Sequence, residues 1–398
     1  MNSGSYTIRN KVIYIISSEF WGIMHVSKHH YALELAKRGN EVYYIEPPLL
    51  TNTGVEVKKY EGAENLYIVK YKPVMRGRRF LPSFIYRLLI KQQIGLIKRA
   101  VGKKPDIVWS FDAYRFEYLS LFKAGISIFH PVDFFTRDEL PLESKTADIC
   151  FSSSLGIKQV VEKGGRPTYF INHGLNEMFC RLATAAQSNL QQEPLNRPVR
   201  VGYIGNLLME ALDRKTMRQV IEKNPQLEFH FWGQVEKGTG GLAGFNSAEV
   251  DEFVQFLKSC KHVHLYGPVP IFQLYDELMK MDLFWICWHL RKSKIWNENT
   301  NPHKILEYLS TGKPLVSHCM NTYLHSELID MLPTVNNEEY LALFQQVVSR
   351  VEKGEPIGLQ RKRIELALQN AYPVQIENIE KIIQQHIQQR SGRNQPVN

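Results

Sequence analysis

The sequence predicts an α/β protein built from two doubly wound parallel sheets. Three observations carry this. Short apolar, β-branched runs alternate with helical patterns throughout the chain. The alternation starts again near residue 199 after a polar stretch. The 398 residues fit two or three domains of ordinary size.

The first module opens with Lys11–Ser17 (KVIYIIS), an apolar run of buried-strand type followed by a polar loop. His29–Arg38 is read as a helix, with Tyr31, Ala32 and Leu35 on one face and Gly39 ending it. Glu41–Glu46 is the next strand, stopped by Pro47-Pro48, and Asn65–Lys70 is a third. About twenty helical residues follow from Ser83. Pro105–Ser110, Ile126–His130, Asp148–Ser152 and Pro167–Asn172 complete the series. The first domain is therefore placed at 1–180. The polar stretch 181–198 is read as a linker.

The second domain, 199–372, repeats the pattern. Arg200–Ile204, Glu228–Trp232, His262–Tyr266, Leu283–Cys287 and Pro314–His318 are its strands. Residues 373–398 form a terminal helix with a frayed tail. The helix carries an isoleucine stripe at Ile376, Ile379, Ile382, Ile383 and Ile387, which suits packing back on the first domain.

Composition narrows the function. A 44% hydrophobic content supports full cores. The chain holds no apolar run long enough to span a membrane and no signal-peptide core, so a cytoplasmic protein is expected. The five cysteines stand singly, and no Cys/His ligand spacing is present, so neither a disulfide framework nor a metal site is expected. The net charge is +9. It is concentrated between Asn65 and Pro105, where eleven Lys and Arg residues meet no Asp or Glu. Within that stretch Phe80–Lys104 reads as a basic amphipathic helix. It suits an anionic membrane surface, or a core-facing helix with a solvated basic face.

The chemistry is sought at strand ends. Val201-Gly-Tyr-Ile-Gly205-Asn206 ends a strand on a glycine, and Gly233 and Gly267 end two others. Open α/β sheets bind ligands outside the carboxyl ends of their strands. Asn301-Pro302-His303-Lys304 reads as a loop entering a helix whose first turn offers backbone N–H groups and an ammonium to a diphosphate. Glu307 lies one turn further on, where a carboxylate can accept both ribose hydroxyls. The plainer reading is an i,i+3 ion pair of Lys304 with Glu307 on a surface helix. His130 and Asp133 follow a strand in the first domain and are the candidates for acid–base work. His25, His29 and His30 lie in or after the first βα loop, and Arg115 follows "IVWSF"; these four are the acceptor-side candidates.

In this order the parts resemble the GT-B glycosyltransferases over most of the chain. "FINHGLNEMF" is similar to that superfamily's domain-junction signature, "VGYIGNL" to its first donor-domain strand, and "VHLYGPVPIFQLYDELMKMDLFWIC" and "NPHKILEYLSTGKPLVS" to its later donor signatures. The wording of the last is nearest to transferases of bacterial surface-polysaccharide assembly, of teichuronic-acid and xanthan type. The resemblance implies two Rossmann-like domains facing a cleft. It implies transfer of a sugar from a UDP- or GDP-sugar to an acceptor hydroxyl, on a lipid-linked or surface polysaccharide precursor at the inner face of the plasma membrane. It implies no cofactor and no metal. Glu307 would hold the ribose, Lys304 with the amides around Pro302 and His303 the diphosphate, and Gly205 would admit the phosphates. The sequence departs at Asn299, where many relatives carry a second glutamate, and at Asn206 and Glu210, where many carry Arg and Lys. Arg214 and Lys215 are the nearby basic residues that can substitute. A nucleotide-sugar 2-epimerase shares the fold but needs a carboxylate pair that is not evident. A basic nucleic-acid-binding protein would show a recognition signature, and none is present. Neither module opens with the GxGxxG of a dinucleotide oxidoreductase.

Overall fold

A computed structural model describes residues 6–22, 25–75, 81–135, 139–236, 247–290, 297 and 299–393. The chain divides into two compact units, Met1–Gly174 with Tyr372–Asn398, and Leu175–Ala371. Arg76, Arg78, Arg79 and Phe80 of the basic stretch lie outside the described residues.

In the first unit the elements run β1 (Val12–Ile16), α1 (Ser27–Lys37), β2 (Glu41–Ile45), β3 (Val55–Lys59), β4 (Leu66–Tyr71), α2 (Ser83–Val101), β5 (Ile107–Ser110), β6 (Ile126–Phe129), α3 (Glu143–Thr146), β7 (Ile149–Ser152), α4 (Leu155–Glu162) and β8 (Thr168–Phe170). The sheet order is β3-β4-β2-β1-β5-β6-β7-β8. Every pairing is parallel except that of β3 with β4. The apolar runs of β1 and β5 are buried on both faces, as a sheet covered by helices on both sides requires. Ile13, Ile15, Trp109 and Ile128 form one core layer. Tyr14, Ile16, Val108 and Phe129 form the other, with Tyr86, Ile90, Ile94 and Ile97 of α2.

The second unit begins earlier than the sequence reading placed it. The polar stretch 181–198 is in part α5 (Glu177–Gln187), capped by Asn176 and burying Phe179, Leu182, Ala183 and Ala186. The unit continues with β9 (Arg200–Ile204), α6 (Arg214–Lys223), β10 (Glu228–Trp232), α7 (Ala248–Ser259), β11 (Val263–Gly267), α8 (Ile271–Met279), β12 (Leu283–Ile286), α9 (Lys304–Leu309), β13 (Leu315–Ser317), β14 (Asp330–Met331), α10 (Tyr340–Glu352) and α11 (Ile357–Gln369). Its sheet is wholly parallel in the order β11-β10-β9-β12-β13-β14. The strand order reverses between β9 and β12, which is the switch point of a doubly wound sheet.

The last helix, α12 (Tyr372–Arg393), returns to the first unit. Its isoleucines Ile376, Ile379 and Ile383 are fully buried beside Tyr31 and Leu35 of α1.

Candidate functional site

In the second unit the carboxyl ends of β9, β10 and β11 meet as a ridge of glycines. The Gly205 N–H donates to the Trp232 carbonyl at 2.8 Å, and the Gly233 N–H donates to the Gly267 carbonyl at 2.8 Å. A Cβ on Gly233 would lie 1.8 Å from the Gly205 oxygen, so only glycine allows the two backbones to approach. Asn206 turns the chain next: its Oδ1 accepts the Leu208 N–H at 2.8 Å.

Over this ridge stands α9, held by Tyr308. Its hydroxyl accepts the Ile204 N–H at 2.8 Å and lies 3.3 Å from the Ile204 oxygen. Its ring stacks on Phe284 of β12 at 4.5 Å. This anchor fixes the helix rotation and thereby the neighbours of Tyr308. A Cβ on Gly205 would meet the Lys304 Nζ at 2.9 Å, so the ammonium lies directly over the glycine. Glu307 sits on the same helix with its side chain 13% exposed, and its Oε1 is 3.8 Å from the Nε2 of exposed His303. Asn301 is buried and Pro302 half-buried at the entry to the turn.

Burial governs the electrostatics here. It raises the Glu307 carboxyl to about 7, against the lowering influence of Lys304. It also lowers the Lys304 ammonium, against the raising influence of Glu307. Each group is pushed toward neutrality and each partly restores the charge of the other. A polyanion over Gly205 would keep Lys304 protonated, and a pair of hydroxyls would favour the Glu307 anion. A phosphate and a diol at the two groups are therefore mutually supportive.

The structure brings together Gly205, Asn206, Gly233, Asn301, Pro302, His303, Lys304 and Glu307 in one unit. Arg214 serves the loop beside them. Its Nη2 donates to the Met209 carbonyl at 2.6 Å, which holds the turn that follows Gly205. Lys215 is exposed.

The candidates of the first unit have differing surroundings. His130 is buried and packed among Trp109, Phe111, Tyr31 and Phe151. Among the described residues neither of its ring nitrogens finds a hydrogen-bond partner, and burial pushes the imidazole down to about 3. Asp133, three residues on, is exposed. The pair therefore does not share one environment. His29 is buried; its Nε2 lies 2.9 Å from the Tyr44 hydroxyl and 3.0 Å from the Phe20 carbonyl, and its Nδ1 accepts the Val26 N–H. His25 stacks on His29, and His30 packs on Tyr372. Burial lowers all three imidazoles, His29 and His30 to about 4.

Arg115 is a clasp within the fold. Its Nε donates to Asp112 at 2.7 Å. Its Nη1 donates to the Glu46 carbonyl at 2.7 Å and to the Tyr71 hydroxyl at 3.1 Å, and its Nη2 donates to the Ser17 carbonyl. One guanidinium thus ties the ends of β1, β2, β4 and β5.

Sequence reasoning missed Tyr308 as the residue that positions the site. The available signal was its place directly after Glu307 in an apolar helix, where a buried phenol needs a polar partner.

No protein-family model matches the chain, and no curated protein matches it. Solved structures do resemble it in three dimensions. Sucrose-phosphate synthase from Thermosynechococcus elongatus is 12% identical with a TM-score of 0.63, covering 94% of this chain and 98% of that one. HepE from Anabaena in complex with UDP-glucose is 11% identical with a TM-score of 0.62, covering 94% and 99%. A glycosyltransferase from Rickettsia africae is 12% identical with a TM-score of 0.64, covering 95% and 99%. These likenesses extend over nearly the full length of both chains in each pair. Together with the two parallel sheets, they show that this chain has the GT-B fold.

Proposed function

We propose that the protein transfers a sugar from a nucleoside-diphosphate sugar, UDP- or GDP-linked, to an acceptor hydroxyl. The observation that carries this is the Lys304 ammonium over Gly205, with the buried Glu307 carboxyl on the same helix. In the proposed arrangement the donor ribose hydroxyls donate to Glu307, and the diphosphate meets Lys304 above the glycine ridge. Lys304 offsets the charge that builds on the leaving diphosphate, so the transfer needs no metal. HepE, a neighbour in fold, is a structure in complex with UDP-glucose, which supports a donor of this class. Isothermal titration with UDP, GDP and a short DNA duplex is the test. Nucleoside diphosphate should bind and duplex should not. Binding of duplex alone would overturn the proposal.

The acceptor in this reading is a lipid-linked or surface-polysaccharide precursor, reached from the inner face of the membrane. The support is α2. Its Tyr86, Ile90, Ile94 and Ile97 are buried, while Phe84 and Leu88 are 67% and 61% exposed beside exposed Arg87 and Lys91. Apolar residues exposed among cations suit an anionic bilayer surface, each cation contributing about 1 kcal/mol. No helix among the described residues is long and apolar enough to cross a membrane. Sedimentation with anionic and neutral vesicles tests this. Binding should require anionic lipid, weaken with salt and drop in the double variant Phe84→Ser, Leu88→Ser. Equal binding to neutral vesicles, or none to anionic ones, would remove the membrane from the reading.

A further inference from the structure

The second unit carries a second polar cluster, away from the glycine ridge, on the edge strand β11 and its neighbour β10. Glu228 and His230 are two residues apart on β10 and so face the same side. His264 of β11 is the register partner of His230, and their rings stack at 4.7 Å. The ligand atoms of these three side chains all lie within 4.8 Å of one another. Tetrahedral zinc, with bonds near 2.1 Å, needs separations of about 3.4 Å, which small side-chain rotations supply.

Two further features fit a metal. His230 is 9% exposed, and its Nε2 points into the cluster, where it meets the Glu228 Oε2 at 3.7 Å, longer than a normal hydrogen bond. A buried nitrogen with only so long a contact keeps part of its desolvation cost, which a metal bond would remove. On its other side, His230 Nδ1 lies 2.9 Å from the Tyr266 hydroxyl. With Nδ1–H donating to Tyr266, the lone pair of Nε2 faces Glu228 and His264. An outer hydrogen bond of this kind orients a ligating imidazole.

We propose that Glu228, His230 and His264 bind a divalent transition-metal ion, with Zn²⁺ the best match. Two imidazoles and one carboxylate select zinc, nickel or copper over magnesium and calcium. The competing cation is Arg200, whose Nε is 3.4 Å from the Glu228 Oε2; it must release that oxygen when metal enters. The ion would tie β11, which has a sheet neighbour on one side only, to β10. Glu228 begins β10 and Gly233 follows its end, so this metal serves the strand edge and is separate from the proposed donor chemistry. Half-exposed Tyr266 borders the cluster, and a water or small anion would supply the fourth ligand that a tetrahedral ion takes.

The test uses the full chain without an affinity tag, freed of metal by a chelator and titrated with Zn²⁺ by calorimetry. One Zn²⁺ should bind per chain, and the melting temperature should rise with added zinc and fall again with chelator. Co²⁺ in place of zinc should give the visible bands of a low-coordinate site. His264→Ala should weaken zinc binding at least tenfold. Tyr266→Phe, at an exposed position that leaves the fold intact, should weaken it by up to about tenfold. Circular dichroism confirms that each variant is folded. Zinc binding to folded His264→Ala as tight as to wild type, or no stoichiometric binding to wild type, would overturn the proposal. UDP titrated with and without zinc provides the separating control, since the donor reading stands or falls independently of the metal.

Discussion

Glu307→Gln isolates what a buried carboxyl near pH 7 does for ligand and for fold. In the free protein burial pushes the group up to about 7 from an ordinary value of 4.5. The folded value is raised, so the stability this group contributes is fully present below pH 4.5 and is lost as pH rises through 7. The loss amounts to about 3 kcal/mol at 1.36 kcal/mol per pH unit. Glutamine cannot ionise, so the ligand-free variant should match wild type below pH 4.5 and exceed it at pH 8. The excess should reach about 3 kcal/mol, a figure that already includes the attraction of Lys304 for the anion. Nucleotide binding should move the opposite way. An anionic acceptor of two ribose hydroxyls contributes about 3 kcal/mol or more, roughly a hundredfold in Kd. Because binding needs the anion, wild-type affinity should rise about tenfold per pH unit up to pH 7 and then level off. The diphosphate's own titration persists in Glu307→Gln, which makes the variant its own control. The assays are denaturant unfolding of the ligand-free chain and calorimetric titration with UDP and GDP, both at pH 5, 6, 7 and 8. Equal affinity of variant and wild type at pH 8 would refute the ribose role. A wild-type Kd that does not change between pH 6 and 8 beyond the change in the variant would refute the raised carboxyl.

Tyr308→Phe should cost about 1–3 kcal/mol in denaturant unfolding, because the part-buried Ile204 N–H loses its acceptor, and it should weaken diphosphate binding as α9 loosens. Gly233→Ala should destabilise by several kcal/mol or leave no folded chain in a thermal melt, since its Cβ would strike the Gly205 oxygen. Arg115→Ala leaves Asp112 buried without its partner and should cost about 3–5 kcal/mol in the same measurement; a stable variant that only loses acceptor affinity would instead mark Arg115 as a binding residue. Asp133→Asn should abolish turnover in a donor–acceptor assay while leaving the calorimetric donor affinity unchanged, and retained turnover would exclude Asp133 as the base.

The sheets were legible because parallel strands buried on both faces are written as short apolar runs. β1, β5 and β12 are of this kind. β3 escaped notice because it is an antiparallel edge strand, Val-Glu-Val-Lys-Lys, with its charges in solvent. α5 was hidden in a polar stretch because only one of its faces is apolar. The grouping at the entry to α9 was readable where the residues are close in sequence, as from Asn301 to Glu307. Contacts between distant residues were not. Arg115 reads in sequence as a loop cation, yet its partners span Ser17 to Asp112. The Glu228, His230 and His264 group was equally invisible, because its third member comes from a neighbouring strand whose register the sequence does not print.

The two histidine-bearing regions of the first unit bear on where an acceptor proton can go. His130, pushed down to about 3 and enclosed by aromatic rings, is a poor base, and its nitrogens meet no hydrogen-bond partner among the described residues. His29 is fixed from both nitrogens. Asn299 in the second unit is an amide, which cannot act as a base, and its Oδ1 accepts from the Asn321 Nδ2 at 2.9 Å. Glu307, committed to the ribose in the proposed arrangement, is not free to take a proton. If the proposed transfer inverts, Asp133, exposed in the first unit, is the base candidate to which these surroundings leave the role. If Asp133 is dispensable, the proton must leave with the diphosphate oxygen itself, and Lys304 is the residue whose loss would then lower turnover more than affinity.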